Sequence, residues 1–289
     1  MGLKRWQADS SILTATVIGA ATYPVAQWIL LQMDVLFFHT LRFPLLAIIF
    51  LPFAWKHLPP LRQIYLAALP GIFLWFGIIA WSIGVMTSEQ MGSSAFIISL
   101  QSIVAPLLGR IIFGTRIRPQ LLFSICFAAT GLALLTLEQG LQVSSSSWWM
   151  MLAAVMLAMY LVTNSHLAPR FHPVAMSWAQ FTGCALLSLA TAPFLSEWDF
   201  TFSWLLIGAL LFMAVIATGL RFTLMTLGQR LTPAASASMI LILEPVLVAI
   251  IGWQLNDEHM SRQQLFGCAL IMSACLLSLP RPRRARALT

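Results

Sequence analysis

Charge is what this chain of 289 residues lacks most. Only 9% of its residues are charged, and nine of them are acids. A soluble domain carries roughly a quarter charged residues. Polar surface is therefore too scarce to cover a water-soluble particle of this size. Cysteine is scarce as well. Cys126, Cys184, Cys268 and Cys275 all lie inside apolar segments, with no C-x-x-C pair and no histidine cluster beside them. That excludes a disulfide framework and a zinc site, and the four are read as small packing residues. No metal and no cofactor are expected. His-Glu-x-x-His and Gly-x-Ser-x-Gly patterns are missing, and the five histidines are isolated. An enzyme is not expected. The net charge of +7 comes from basic residues scattered at segment ends. Without a basic groove interleaved with aromatics, nucleic acid is not an expected partner.

What the chain does have is apolar length. Sixty per cent of it is hydrophobic, and the mean hydropathy is +0.87. A membrane span takes about 20 apolar residues. Stretches that fit run over 11–31, 36–55, 63–85, 91–113, 119–137, 147–165, 173–195, 203–227, 233–254 and 264–280. The first continues through Ile29-Leu30-Leu31. That is longer than the apolar region of a cleaved leader, so it is read as a span. Pro24, Pro44, Pro70, Pro106 and Pro245 fall within spans, where neighbouring helices can satisfy the carbonyls they release.

Charge sorting orients these ten spans. With both termini inside, the inner side collects Lys4, Arg5, Lys56, Arg62, Arg110, Arg116, Arg118, Arg170, Arg230 and the basic tail 281–289. The outer side collects Arg262, with Asp34, Glu89, Glu138, Glu197, Asp199, Asp257 and Glu258. This bias predicts cytoplasmic N- and C-termini in a cytoplasmic membrane, a bacterial inner membrane by expectation. The tail is expected near anionic lipid headgroups.

The chain also repeats itself. Met86-Thr87-x-x-Gln90, Ala95 and Pro106 recur as Met225-Thr226-x-x-Gln229, Ala234 and Pro245. Five spans per half turn the second copy upside down, the pattern of transporters built from inverted repeats. The expected fold is all-α and integral to the membrane: ten transmembrane helices as two inverted five-helix repeats, at 11–137 and 147–280. Small residues at Ser124, Cys126, Ala128, Ala129 and Gly131, and at Gly267, Cys268, Ala269, Ser273, Ala274 and Cys275, predict that the fifth and tenth spans meet closely.

Several short motifs carry a resemblance. Leu243-Glu244-Pro245-Val246 is followed by Asp257-Glu258-His259-Met260-Ser261 and by Gln264-Leu265-Phe266-Gly267, and Leu41-Arg42-Phe43 lies on the second span. Together they resemble the EamA-type permeases of the drug/metabolite transporter superfamily. Gly114-Thr115-Arg116 and Asp257 depart from the family's loop pattern. The resemblance implies ten helices in two inverted halves, a central cavity with alternating access, and movement of small metabolites, often amino-acid export.

Ionisable groups within a span are costly and point to function. Arg42, Arg221 and Glu244 stand out. Arg110 sits near a span end, where its side chain can reach the headgroups. Arg221 lies about 9 Å and Glu244 about 16 Å from the inner face at 1.5 Å per residue, a difference that an arginine side chain bridges. A Glu244–Arg221 ion pair is therefore expected. Glu244 alternatively caps amides disturbed by Pro245, or carries a proton if left unpaired. Snorkelling for Arg221 and a framework pair for Arg42 are the competing readings. Tyr23 and Gln27 share one helix face. Tyr160 and Asn164 hold similar positions on the sixth span. Gln101, Trp81 and Trp178 complete the candidate substrate-binding set. One acid, one base and aromatics suit a small amphiphile such as an amino acid, Glu244 meeting an ammonium and Arg221 or Arg42 a carboxylate, most simply exported, with protons a candidate coupling partner and lipid as surroundings. A multidrug exporter of lipophilic cations is the alternative, and it requires an unpaired Glu244.

Overall fold

The structure is a computed structural model that describes residues 5–88, 91–114, 119–136, 144–194, 203–232, 237, 240, 241, 243–256 and 260–277. The basic tail 281–289, the Asp257-Glu258-His259 stretch, Thr115-Arg116 and Ala234 lie outside the described residues. Helices α1 (Arg5–Leu30), α2 (Val35–Ala54) and α3 (Leu61–Met86) come first. Then come α4 (Met91–Ile98), α5 (Gln101–Phe113) and α6 (Pro119–Thr136). The rest of the chain gives α7 (Ser145–Leu167), α8 (Pro173–Thr191), α9 (Trp204–Leu211), α10 (Arg221–Gln229), α11 (Leu243–Asn256) and α12 (Arg262–Leu277). Among the described residues, seven helical stretches are long and apolar enough to cross a bilayer, and Leu243–Leu255 is a shorter apolar helix.

Local chemistry sets the helix ends. The Asp34 carboxylate accepts from the Leu36 and Phe37 amides at 2.8 and 3.2 Å, and so caps α2. Ser144 and Ser203 cap α7 and α9 in the same way. Such caps replace partners that the first amides of a helix lose. At the other end of α5, Gly114 takes a left-handed conformation with φ 66°. Arg110 donates to its carbonyl at 3.1 Å. Within the helices, hydroxyls turn back onto their own backbone: Thr16 to Ile12, Thr22 to Ile18, Thr182 to Trp178. This lets polar residues sit in apolar surroundings without an orphaned donor.

The outside of the bundle is apolar. Ile48, Phe53, Leu61, Ile111 and Trp204 are all well exposed, as expected of faces that lipid covers. Inside, small residues bring backbones together. A Cβ on Gly131 of α6 would lie 2.7 Å from the Gly267 carbonyl of α12, so these two helices do pack closely. Gly77 and Gly84 of α3 admit Leu157 and Met150 of α7. Ser146 adds a hydrogen bond to the Gly84 carbonyl at 2.9 Å. Gly228 of α10 lies against Ala8 and Ile12 of α1.

Two expected spans depart from regular helix. The stretch 91–113 breaks between α4 and α5. The Ser99 amide is shared between the Ala95 and Phe96 carbonyls, and its hydroxyl donates to Phe96 at 2.6 Å. Tight i−3 bonds then follow at Leu100, Ser102 and Ile103. Pro106, one turn on, has no amide to give and crowds the Ser102 carbonyl, which favours re-nucleation here. The stretch Trp204–Gln229 contains a nine-residue π-helical segment, Phe212–Leu220, between α9 and α10. Its wider turn is visible in Thr218, whose hydroxyl donates to Met213 five residues back at 2.7 Å. Such segments insert one extra residue per turn and concentrate at functional sites.

Candidate substrate cavity

Both irregular stretches deliver residues to one cavity. The break opens α5 with Gln101, and the π-helical segment ends at Arg221. The cavity holds about 620 Å³ not filled by atoms, part of it open at its mouth. Tyr23, Arg42, Trp81, Gln101, Tyr160, Arg221 and Glu244 line it, with Thr22, Ile78, Leu157, Met225 and Leu241 among the remaining wall.

Glu244 stands in the first turn of α11. Nη2 of Arg221 donates to both of its carboxylate oxygens at 2.8 Å. The carboxylate is nearly enclosed and the guanidinium is slightly more open, with side-chain exposures of 7% and 15%. Gly19 of α1 makes this possible. A Cβ there would meet the Arg221 guanidinium at 2.6 Å. The Arg221 guanidinium carbon also lies 5.4 Å from the Phe222 ring centroid.

Arg42 reaches the cavity from α2. It is 3% exposed. Its Nη2 donates to the Thr218 hydroxyl, and its Nε and Nη1 have no partner among the described residues. Its guanidinium carbon lies 5.2 and 5.7 Å from the Phe38 and Phe43 ring centroids. Such contacts favour a cation by about 0.5–2 kcal/mol and neutralise nothing. His39 beside it bonds Ser82 at 2.9 Å. The aromatic walls are ordered by edge-to-face pairs: Tyr23 on Trp81 with centroids 5.1 Å apart, and Tyr160 on Phe222 at 5.5 Å.

The EamA-like transporter family matches residues 6–137 and again 144–279. The chain belongs to the EamA-like transporter family. It is therefore a multi-pass membrane protein of a transporter family. An uncharacterized transporter of Archaeoglobus fulgidus is 24% identical over 278 residues, covering 96% of this chain and 87% of that protein. A crystal structure at 16% identity matches the fold with a TM-score of 0.68, covering 95% of this chain and 97% of that one.

Three expected site residues do not line the cavity. Gln27 is half-buried one turn beyond Tyr23 on α1. Trp178 donates its indole N–H to the Ala47 carbonyl at 3.0 Å and so ties α8 to α2. Asn164 is buried in an amide cluster. It donates to Gln229 at 2.5 Å and to Thr226 at 3.2 Å, and accepts from Gln180 at 2.7 Å. An amide has several donor and acceptor sites, so neighbouring amides absorb it before a solute can. Neither charge nor hydropathy marks Thr218 or Gly19 in the sequence. Gly19 had one signal: it lies four residues before Tyr23, on the same helix face.

Proposed function

We propose that this protein is a secondary transporter that moves a small amphiphilic metabolite, an amino acid or related compound, out of the cell by alternating access. The scaffold in this reading is ten spans in two inverted halves in the cytoplasmic membrane, with both termini inside. Charge sorting along the sequence and the paired motifs of the two halves support it. The single observation that carries the substrate class is the Arg221–Glu244 ion pair opening onto the same cavity as Arg42. A cavity with few polar groups and aromatic walls suits a solute with one polar end. Export of lipophilic cations, the competing reading, needs a carboxylate free to meet a cation, and here Arg221 holds it.

The test compares extracellular metabolites of cells overexpressing the wild type, Glu244→Gln, or an empty vector. Accumulation of an amphiphilic metabolite with the wild type alone is the expected result. An unchanged extracellular pool in every strain, with tolerance to lipophilic cations raised instead, would overturn the reading.

A further inference from the structure

Three ionisable carboxyl or guanidinium groups line the cavity among the described residues: Arg42, Arg221 and Glu244. Glu244 compensates one arginine only, because both of its oxygens accept from Arg221. Among the described residues, the groups in direct contact with Arg42 are neutral, the Thr218 hydroxyl and two phenyl rings. An arginine stays protonated in a protein, so its burial is not relieved by giving up the proton. A charge removed from water and left without a counter-charge is costly. Its Nε and Nη1 donors have no partner among the described residues, at a residue that is 3% exposed and lines the cavity.

We infer that Arg42 anchors the anionic end of the substrate, and that the cavity favours an apolar monoanion over the zwitterion of the same shape. Charge balance decides between the two. The three groups sum to one positive charge. A bound monocarboxylate brings the sum to zero. A bound amino acid leaves it at plus one, whether its ammonium stays unpaired or takes Glu244 from Arg221. A carboxylate would also supply the charge-assisted acceptors that Arg42 lacks. The Tyr23–Trp81 pair, Ile78 and Leu157 provide an apolar wall for the remainder. The inference rests on the amphiphile reading above and narrows it, from amino acids to the carboxylates related to them.

The experiment measures binding of three ligands of one shape and different charge to the purified full-length protein in nanodiscs, by calorimetry. They are 3-phenylpropionate, phenylalanine and phenylalaninamide. The expected order is monoanion, zwitterion, cation, with at least a tenfold step from the first to the second. Arg42→Gln should weaken 3-phenylpropionate at least tenfold and erase that step, and Arg42→Lys should keep the order. The wild-type ranking stands without any variant, so a misfolded Arg42→Gln does not blunt the test. Phenylalanine binding as tightly as 3-phenylpropionate would overturn the inference and leave amino-acid transport standing. If none of the three binds, the inference fails. The amphiphile reading fails with it only when the extracellular pools are also unchanged.

Discussion

Gly19 leaves room for Arg221. A Cβ at position 19 would lie 2.6 Å from the guanidinium carbon and 2.7 Å from the nearer Glu244 oxygen. One missing methyl group on α1 thus decides whether a charge pair formed by α10 and α11 can close against it. Replacing Gly19 with Ala also favours the helix, by up to about 1 kcal/mol. Against this, the methyl would meet only the far ends of the Arg221 and Glu244 side chains, so the charged pair shifts while the helix backbones stay in place. We expect Gly19→Ala to insert normally, to change stability by less than about 1 kcal/mol, and to transport at least tenfold more slowly because the charged pair is displaced. Export rate per inserted molecule checks this, and wild-type export would refute the role of the gap.

The ion pair predicts a specific non-additivity. Glu244→Gln strands Arg221, and Arg221→Gln strands Glu244. Breaking a buried pair at one end costs about 3–5 kcal/mol, and the slightly open guanidinium puts this pair at the low end of that range. The double variant removes both charges together, so it should be more stable than either single one. A cycle of thermal unfolding measurements should give a coupling of about 1–3 kcal/mol. Export should stay low in all three variants, because the cavity has lost its charge pattern. Additive losses would show that the two groups do not rely on each other.

The amide cluster should separate stability from binding. Asn164 joins Gln180 to Gln229 and Thr226, and all four are buried. Asn164→Ala leaves those groups without their shared partner, at a cost of about 1–3 kcal/mol. Asn164 does not line the cavity, so ligand affinity in the folded fraction should stay within about twofold. A tenfold loss of affinity with unchanged melting temperature would place Asn164 in the binding site after all.

Much of this arrangement is legible in the sequence, for a physical reason. Exposure to lipid demands apolar side chains, so helices announce themselves by hydropathy, and a charge within them announces itself by its cost. Arg42, Arg221 and Glu244 were visible on that ground. The break at Ser99-Leu100 and the π-helical segment were not. Both are rearrangements of backbone hydrogen bonds inside runs whose hydropathy is unbroken. Neutral polar residues are less legible in a sequence. Gln101 lines the cavity, whereas Asn164 turns to Gln180 and Gln229, and pattern alone does not say whether a buried amide meets a solute or another amide. Gly19 acts through the absence of a side chain, which no count of polar or apolar groups registers.

Acid should loosen the junction of α2 and α8. His57, just past the end of α2, stacks on His172, which precedes the first residue of α8. Their ring centroids are 3.8 Å apart and their planes 14° from parallel. Partial burial pulls the His172 imidazole below its usual range, and the neighbouring His57 and Arg230 add to the effect. The folded protein therefore takes up a proton at His172 later than the unfolded chain does, as pH falls. The contribution of this contact is complete above the unfolded value of about 6.5. It is lost as the pH drops through the lowered folded value. Wild-type protein in micelles should lose more melting temperature between pH 7.5 and pH 5.5 than His172→Gln, whose side chain does not titrate. The remaining histidines are common to both proteins, so the difference between the two slopes reports the stacked His57–His172 pair. Equal slopes would mean that the stacked pair does not feel the proton.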